Sequence, residues 1–390
     1  MHKLAIIPAR GGSKRIPRKN VKDFRGMPVI AYSILAALRS GCFDRVMVST
    51  DDPEIAEVAR RYGAEVPFMR SASTANDYAT TADVIREVLR EYAERGEEFD
   101  IFACIYATAP FITPRRLREG MKLIESGRAQ AAFTCVEYSY PIQRSLRIGE
   151  EGKIAMRYPE YAAARSQDLE KTYHDAGQFY LSTVKAFEQC GSLWGPDTLP
   201  IILSELEVQD LDTPTDWRLA EMKFALTRLP DRFEAGGYTF TSYTLLDRDI
   251  HLKVLEERNE PALRELMVNT GEIPEVDHFR FVESLKTDRD RQYYLVSDSS
   301  GMVASVNVEW LDNGVVERGI WVARNARGKG HAKRLLRALY DYLRDNFGVS
   351  EVVSCVKPVN AASLALEHSL GAVETGADSQ FKHFCLKLRN

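Results

Sequence analysis

The sequence has no long apolar run, no paired cysteine motif, no internal repeat and almost no net charge, and each lack removes a class of protein. No stretch of about 20 apolar residues is available to cross a bilayer. Met1 leads almost directly into the strand-like Leu4-Ala5-Ile6-Ile7 rather than into a basic and then apolar leader. The expectation is a cytoplasmic chain with no membrane span and no lipid anchor. Cys42, Cys104, Cys135, Cys190, Cys355 and Cys385 are scattered, with no CxxC and no histidine placed to complete a zinc site, so they read as reduced thiols. A formal charge of −4 gives no general attraction to nucleic acid, so any anion site has to be a local cluster of basic residues. The phosphate loop GxxxxGK[ST] is absent as well. What remains is a 390-residue chain, 45% hydrophobic and 28% charged, enough for two domains with real cores.

Over the first 228 residues, strand-like and helix-like segments alternate. Lys3–Pro8, Arg45–Thr50, Ala64–Met69, Asp100–Tyr106 and Ala131–Glu137 are short and apolar, as strands buried on both faces are. Between them Val29–Arg39, Glu54–Tyr62, Thr81–Arg95 and Arg115–Glu125 are amphipathic, and Pro53 and Pro114 stand where a first helical turn accepts proline. This predicts an α/β domain with a mostly parallel sheet between two helical layers, binding its ligand beyond the carboxyl ends of the strands. From Glu137 to Asp175 the pattern loosens into a stretch rich in Tyr, Arg and Pro, either a lid, an extension used in dimer contacts or an ordinary insertion. Pro230, Gly236, Gly237 and the run to Thr244 read as part of a linker over 229–248. A second unit over 249–390 then reads as strand, helical region, three strands, a long helix over about Gly330–Phe347, strand, short helix and strand.

Two features of the first unit carry chemistry. From Arg10 through Lys22 there are six basic residues and no acid, five of them in the run Arg10-Gly11-Gly12-Ser13-Lys14-Arg15-Ile16-Pro17-Arg18-Lys19-Asn20. Adjacent glycines allow close backbone approach, and N–H groups with Lys and Arg suit a nucleoside triphosphate. Near the domain's end, Asp210-Leu211-Asp212 could present two carboxylates to one Mg²⁺. The local sequence equally fits Asp212 as a helix cap before Thr213-Pro214.

The opening run, with Ile7-Pro8-Ala9 ahead of it, resembles the CMP-sialic acid synthetase family of nucleotidyltransferases over residues 1 to about 226. That resemblance implies a Rossmann-like three-layer domain in which Arg10, Gly11, Gly12, Ser13, Lys14 and Asn20 bind CTP. It implies that Lys14 and Arg10 neutralise the departing pyrophosphate and that Asp210 and Asp212 hold Mg²⁺. The reaction implied is attack of a sugar hydroxyl on the α-phosphorus of CTP. No side chain stands out as a general base, which leaves deprotonation to the metal. Ile105-Tyr106-Ala107-Thr108-Ala109-Pro110 and the segment around Arg165-Ser166-Gln167-Asp168 resemble pseudaminic acid cytidylyltransferases in particular. The implied acceptor is then an acidic nine-carbon sugar, with Arg70, Tyr106, Arg165 and Gln178 as contacts. Sialic or legionaminic acid is the alternative acceptor, and a homodimer is the implied assembly.

In the second unit, Arg327-Gly328-Lys329-Gly330-His331-Ala332 follows a strand and opens the long helix, where free N–H groups and the helix dipole favour an anion. Together with Asn360-Ala361-Ala362-Ser363, it resembles the acetyl-CoA loop of the GNAT N-acetyltransferases. Glu257-Arg258-Asn259 and Tyr293-Tyr294-Leu295-Val296 are similar to the acetyltransferase of the pseudaminic acid pathway, implying an amino-sugar acceptor, UDP-4-amino-4,6-dideoxy-N-acetyl-altrosamine. The resemblance makes Arg327, Gly328, Lys329, Gly330, His331, Ala332 and Asn360 acetyl-CoA contacts. Glu367-His368 stands where many such enzymes have a tyrosine acid, and Glu317 could act as base through a water. A non-catalytic GNAT domain, or one acting on a different amine, is the alternative.

Overall fold

The computed structural model describes residues 1–13, 15–288, 290–312 and 314–388. The chain forms two units, Met1–Phe224 and Ala225–Asn390.

The first unit has strands β1 (Lys3–Pro8), β2 (Asp23–Phe24), β3 (Met27–Pro28), β4 (Arg45–Ser49), β5 (Ile101–Ile105), β6 (Ala131–Glu137), β7 (Leu146–Ile148), β8 (Ile154–Met156), β9 (Tyr173–Thr183) and β10 (Thr198–Leu203). Its helices are α1 (Val29–Ser40), α2 (Pro53–Arg61), α3 (Ala72–Ala75), α4 (Thr81–Ala93), α5 (Pro114–Glu125), α6 (Val184–Cys190) and α7 (Pro214–Leu226). Six strands make one sheet in the order β10-β6-β9-β5-β1-β4. The pairs β1–β4, β1–β5 and β10–β6 are parallel, and only β9 runs antiparallel to its neighbours β5 and β6. Alternate residues feed different cores. Ala5, Ile7, Val46, Val48, Ala103 and Ile105 enter one, while Leu4, Ile6, Met47, Phe102 and Cys104 enter the other. Burial on both faces is why these strands lack polar alternation.

One strand expected from the sequence does not form. Of Ala64–Met69, only Glu65 makes a bridge, to Met47, and Pro67 supplies no N–H to extend it. The loose stretch from 137 to 175 contains the β7–β8 hairpin and then runs into β9.

The second unit has strands β11 (Arg232–Ala235), β12 (Tyr238–Ser242), β13 (Arg291–Asp298), β14 (Gly301–Asp312), β15 (Val315–Val322), β16 (Glu351–Val356), β17 (Val373–Ala377) and β18 (Lys382–Lys387). Helices α8 (Arg248–Arg258), α9 (Pro261–Arg264), α10 (Glu275–Leu285), α11 (His331–Phe347) and α12 (Ala361–Leu370) pack on it. The sheet order is β11-β12-β13-β14-β15-β16-β18-β17. Residues 229–248 are therefore not a linker. They form the β11–β12 hairpin, turned at Gly236 and Gly237 with φ of +57° and +80°, and β12 pairs with β13. A Cβ on Gly236 would lie 2.5 Å from that of Ala338 in α11, so glycine serves both the turn and the packing there. The expected strand near 249 is helix α8, capped by Asp247.

Strand β15 meets β16 in the unit's only parallel pair among the described residues, and only over Val315–Glu317. Beyond Glu317 the two part, and the core of Leu335, Leu336, Leu339 and Leu343 on α11 closes one side of the sheet.

Candidate functional site

In the first unit the basic loop leaves β1 at its carboxyl end. A Cβ on Gly11 would lie 2.5 Å from Asp52 Oδ2, so glycine is required here for the loop to pass the start of α2. The Gly11 N–H donates to Asp51 Oδ1 at 3.1 Å. Asp52 caps α2 by accepting from the N–H groups of Glu54 and Ile55, and Arg18 donates to it at 2.5 Å. The Arg18 guanidinium holds the Asp52 carboxyl below its usual range. Gly12 has open space around it. Asn20, buried, donates its amide to the Arg10 carbonyl at 2.9 Å, so this amide fastens the loop to itself rather than standing free for a ligand.

Three further cations of the loop are met by carboxylates from elsewhere in the unit, while Lys22 lies over the Trp217 ring. Arg10 pairs with Asp77 at 2.7 Å. Arg15 pairs with Asp212 at 2.6 Å, and Lys19 lies 3.5 Å from Asp212 while donating to the Leu211 carbonyl at 2.9 Å. Arg10, Ser13, Arg15, Lys19, Asn20, Arg70, Thr81 and Tyr106 line one cavity of about 500 Å³. The structure thus brings together Arg10, Ser13, Asn20, Arg70 and Tyr106 of the expected contacts. Lys14 lies outside the described residues.

Arg70 is buried, donating to Ser49 Oγ at 3.1 Å and to the Ser49 carbonyl, and no ion pair to it is found among the described residues. Burial pushes its guanidinium below the usual range, against the pull of Asp51 and Glu87. A buried cation facing a cavity without a bound carboxylate suits an anionic ligand.

Gln178 and Arg165 do not join this cavity. Gln178 is buried and donates to the Glu207 carbonyl, and it is not among the residues lining this cavity. It lies in a stretch of β9 where the register with β6 shifts. Arg165 is exposed, at the edge of a short helical turn in the loose stretch.

The aspartate pair resolves one ambiguity. Thr213, not Asp212, caps α7: Thr213 Oγ1 accepts from the Asp216 N–H at 3.2 Å, and Asp216 Oδ2 accepts from the Thr213 N–H at 2.7 Å. Asp212 is left to face Arg15 and Lys19. Leu211 between the two aspartates is fully buried, and Asp210 is exposed. This donor set fits Mg²⁺. No third carboxylate, His or Cys completes a closed cluster among the described residues, and magnesium takes one or two carboxylates and leaves other positions to phosphate oxygens and water.

In the second unit a cavity of about 1250 Å³ is lined by the glycine loop, the parting strands β15 and β16, and the start of α12. Gly330 has a φ of +73° and precedes α11 with no side-chain cap, so the helix's first N–H groups are not claimed by a capping side chain. Arg327, Gly328, Gly330, His331, Ala332 and Asn360 line this cavity, and Lys329 does not. Three of these side chains have other work, His331 through a 3.0 Å hydrogen bond with the Tyr238 hydroxyl. Asn360 Oδ1 caps α12 by accepting from the Ser363 N–H at 3.1 Å, and Arg327 pairs with Glu260 at 2.5 Å. The site offers an anion the backbone more than side chains.

Glu317, the last paired residue before the strands part, lies in the cavity wall with Cys355 Sγ 3.7 Å from its Oε1. Glu367 is buried against Arg318, whose Nε also donates to Tyr340 at 2.7 Å, so Glu367 fills a fixed network rather than a proton-donor position. His278 in the same cavity hydrogen-bonds His251 at 3.1 Å, and His251 bonds the Tyr243 carbonyl at 2.9 Å.

Reading the sequence missed Asp77, which sits in the polar Asn76-Asp77-Tyr78 run with no periodic signal. It also missed Asp52, for which a signal existed: an acid immediately before Pro53 at a helix start.

Comparison with known proteins finds a family match in each unit. Residues 4–176 match the family described as cytidylyltransferase, and residues 246–373 match the acetyltransferase (GNAT) domain. A pseudaminic acid cytidylyltransferase of Campylobacter jejuni is 41% identical over 224 residues, 57% of this chain and 97% of the relative. The chain belongs to the cytidylyltransferase family. A Helicobacter pylori relative of this cytidylyltransferase, 34% identical over 54% of this chain and 40% of its own, is a pseudaminic acid cytidylyltransferase and UDP-2,4-diacetamido-2,4,6-trideoxy-beta-L-altropyranose hydrolase. A solved N-acetyltransferase of C. jejuni in complex with acetyl coenzyme A is 18% identical over 39% of this chain and 99% of its own, at a TM-score of 0.33. The six free cysteines are unpaired, and no helix among the described residues is long and apolar enough to cross a membrane.

Proposed function

We propose that the first unit transfers CMP from CTP to pseudaminic acid, and that the second acetylates the amino group of a nucleotide-linked amino sugar from acetyl-CoA. The observation that carries the first reading is the meeting of the basic loop with the aspartate segment through Arg15, Lys19 and Asp212 beside a cavity that also holds Arg10 and Arg70. Arg10, Lys14, Arg15 and Lys19 bind and neutralise the triphosphate. Gly12 and Ser13 bring backbone close to it, and Asn20 keeps the loop in shape. Arg70 takes a negatively charged group, phosphate or sugar carboxylate. Asp210 and Asp212 would hold Mg²⁺, which supplies charge neutralisation on the phosphates. Positioning and preorganised charge account for the rate of such a displacement. The 41% identity to a pseudaminic acid cytidylyltransferase over nearly its whole length supports that acceptor.

For the second unit, the unclaimed N–H groups after Gly330 take the pyrophosphate of acetyl-CoA, and the parting of β15 and β16 admits its chain. Glu317 accepts the amine's proton through a water. The Helicobacter relative, which joins a cytidylyltransferase to another activity on a nucleotide-linked amino sugar, supports placing two steps of one route in one chain. CTP and acetyl-CoA are both metabolites of the cytoplasm, where we place the protein. The exposed apolar side chains of the β7–β8 hairpin, Leu146, Ile148 and Ile154, together with Tyr140 at 85% exposure, support pairing with a second copy.

One set of assays tests the reading. The full chain with CTP and Mg²⁺ is given pseudaminic, legionaminic or sialic acid while pyrophosphate is measured, and acetyl-CoA with the UDP-linked amino sugar while free thiol is measured. Pyrophosphate from pseudaminic acid well above the others is expected, and equal or absent release defeats the assignment.

A further inference from the structure

The residues lining the second unit's cavity of about 1250 Å³ fall into two groups. The glycine loop, the parted strands and the start of α12 make one, which the reading above gives to acetyl-CoA. Tyr243, Arg258, His278, Phe281, Tyr293 and Ser305 belong to the other, drawn from the turn after β12, from α8 and α10, and from β13 and β14. Two substrates have to share this cavity, so the second group is left for the amine. Within it, His278 is tied at one ring nitrogen and open at the other. His278 Nε2 lies 3.1 Å from His251 Nδ1, and His251 Nε2 lies 2.9 Å from the Tyr243 carbonyl. Tyr243 is fixed in its turn, with its hydroxyl 2.7 Å from Ser305 Oγ.

Donor counting fixes both tautomers. A carbonyl only accepts, so neutral His251 carries its proton on Nε2. Its Nδ1 is then a bare acceptor, and His278 Nε2 supplies the proton between the rings. His278 Nδ1 is left with a lone pair and no proton. Both rings are buried, which holds them below the ordinary histidine range and keeps them neutral, although Asp247 pulls His251 weakly the other way. His278 Nδ1 makes no hydrogen bond among the described residues. Nor is it one of their sealed, unpartnered polar atoms, which are Tyr92 Oη, Gln143 Oε1, Thr172 Oγ1, Arg258 Nη1 and Arg264 Nε. It is therefore open, and the space beside His278 is the cavity. A histidine pair that served packing alone would be satisfied at both ends. The open nitrogen is suited to binding rather than to removing a proton. An ammonium group of ordinary basicity, about 10, does not hand its proton to an imidazole held down to about 4. Proton removal is left to Glu317.

We propose that His278 Nδ1 accepts a hydrogen bond from a neutral O–H or N–H group of the amino sugar and thereby selects the acceptor of the second unit. This rests on the acetylation reading given above and adds to it a residue that recognises the sugar. The UDP-linked amino sugar offers two donors of this kind, a ring hydroxyl and the N–H of its acetamido group. An acceptor without the donor would leave the His278 lone pair unpaired in a closed site, and a site built to bond such a group rejects the analogue that lacks it. His278 is the binding residue. His251 is a positioning residue, which fixes the tautomer and the ring of His278 and is itself held by the Tyr243 carbonyl.

The test measures thiol release by the full chain from acetyl-CoA with three amines: the UDP-linked amino sugar, its analogue with the ring hydroxyl replaced by hydrogen, and its analogue with the acetamido N–H methylated. One analogue is expected to show kcat/KM roughly 10–100-fold lower, and which one it is identifies the donor. His278→Phe lowers kcat/KM for the parent sugar by a similar factor, through KM for the sugar, with KM for acetyl-CoA unchanged, and no longer distinguishes the parent from that analogue. His278→Gln, which keeps an acceptor, recovers part of the loss. His251→Phe weakens the sugar several-fold, and nitrogen-15 spectra of the histidine-labelled chain show the His278 tautomers mixing in that variant, where the wild type shows a bare Nδ1 that shifts when the sugar is added. Analogues as good as the parent, or His278→Phe with the wild-type KM for the sugar, overturn the proposal, and so does an analogue penalty that persists in full in His278→Phe. Should His278→Phe fail to fold, the analogues with the wild type and the nitrogen-15 shift still decide. A wild type that releases no thiol with any of these amines defeats the acetylation reading and this assignment together. An active wild type indifferent to the analogues and to His278→Phe defeats the assignment alone.

Discussion

The two units handle charge in opposite ways. In the first, two of the cations that line the cleft sit near the surface beside carboxylates, while Arg70 is buried: the Arg10 side chain is 42% exposed beside Asp77, and Arg15 is 69% exposed beside Asp212. In the second, a charged pair at the cavity wall is sealed in: Arg318, which lines the cavity, and its partner Glu367 have side chains 4% and 3% exposed. Surface pairs hold with roughly 0–1 kcal/mol, so an arriving phosphate can replace the carboxylate at little expense. A buried pair cannot be exchanged in this way, and its value is to fix a frame. On the proposed function, the first unit binds its anion by changing partners, while the second presents an anion site made by backbone geometry around a rigid polar core.

The sharpest way to break this contrast is to remove one member of each kind. Glu367→Gln leaves Arg318 buried beside a neutral partner and is expected to destabilise the second unit by roughly 3–5 kcal/mol, a fall of roughly 10 °C in its thermal transition. A fall under about 2 °C would place Glu367 with the exchangeable charges instead. Asp210→Asn, at an exposed carboxylate, is expected to leave melting unchanged while lowering CMP transfer roughly 100-fold, measured as pyrophosphate release at saturating CTP.

The buried histidines extend the contrast to pH. Burial, reinforced by His251, pushes His278 down to about 4 from its ordinary 6.5. The unfolded chain takes up that proton first. The contribution is therefore complete above pH 6.5 and is lost as pH falls toward about 4, by roughly 2–3 kcal/mol. Chemical denaturation of the full chain from pH 7 to 4 measures the slope, and His278→Phe should flatten it. The smallest effect is ionic. Raising NaCl from about 0.05 to about 0.5 M is expected to weaken CTP binding several-fold and acetyl-CoA binding less, because exposed side-chain charges are screened more than a helix's own N–H groups. Equal salt dependence in calorimetric titrations would remove the distinction.

Much of this was legible beforehand, and the misses have physical reasons. Buried strands such as Ile101–Ile105 announce themselves by unbroken apolar character, and α11 by its period. Ala64–Met69 is mostly apolar but broken by Glu65, and with Pro67 lacking an N–H it makes only the Glu65–Met47 bridge. The Gly236-Gly237 pair was a hairpin signal between Phe233 and Tyr238–Phe240 rather than the mark of a linker. The basic loop and the aspartate pair could be located from the sequence. Which carboxylates hold the cations, Asp77 and Asp212, depends on separations of 67 and 197 residues that local pattern does not encode. Gln178 is expected as a contact from resemblance alone, and in the fold its amide donates to the Glu207 carbonyl, a partner 29 residues away that local pattern does not encode.

Gly11 leaves the first unit little evolutionary freedom at one point. Any side chain there would strike Asp52, which both caps α2 and anchors Arg18. A substitution meant to adjust nucleotide affinity would thus also unseat a helix start, so variation that tunes the pocket has to enter elsewhere, through neighbours such as Gly12 that border empty space.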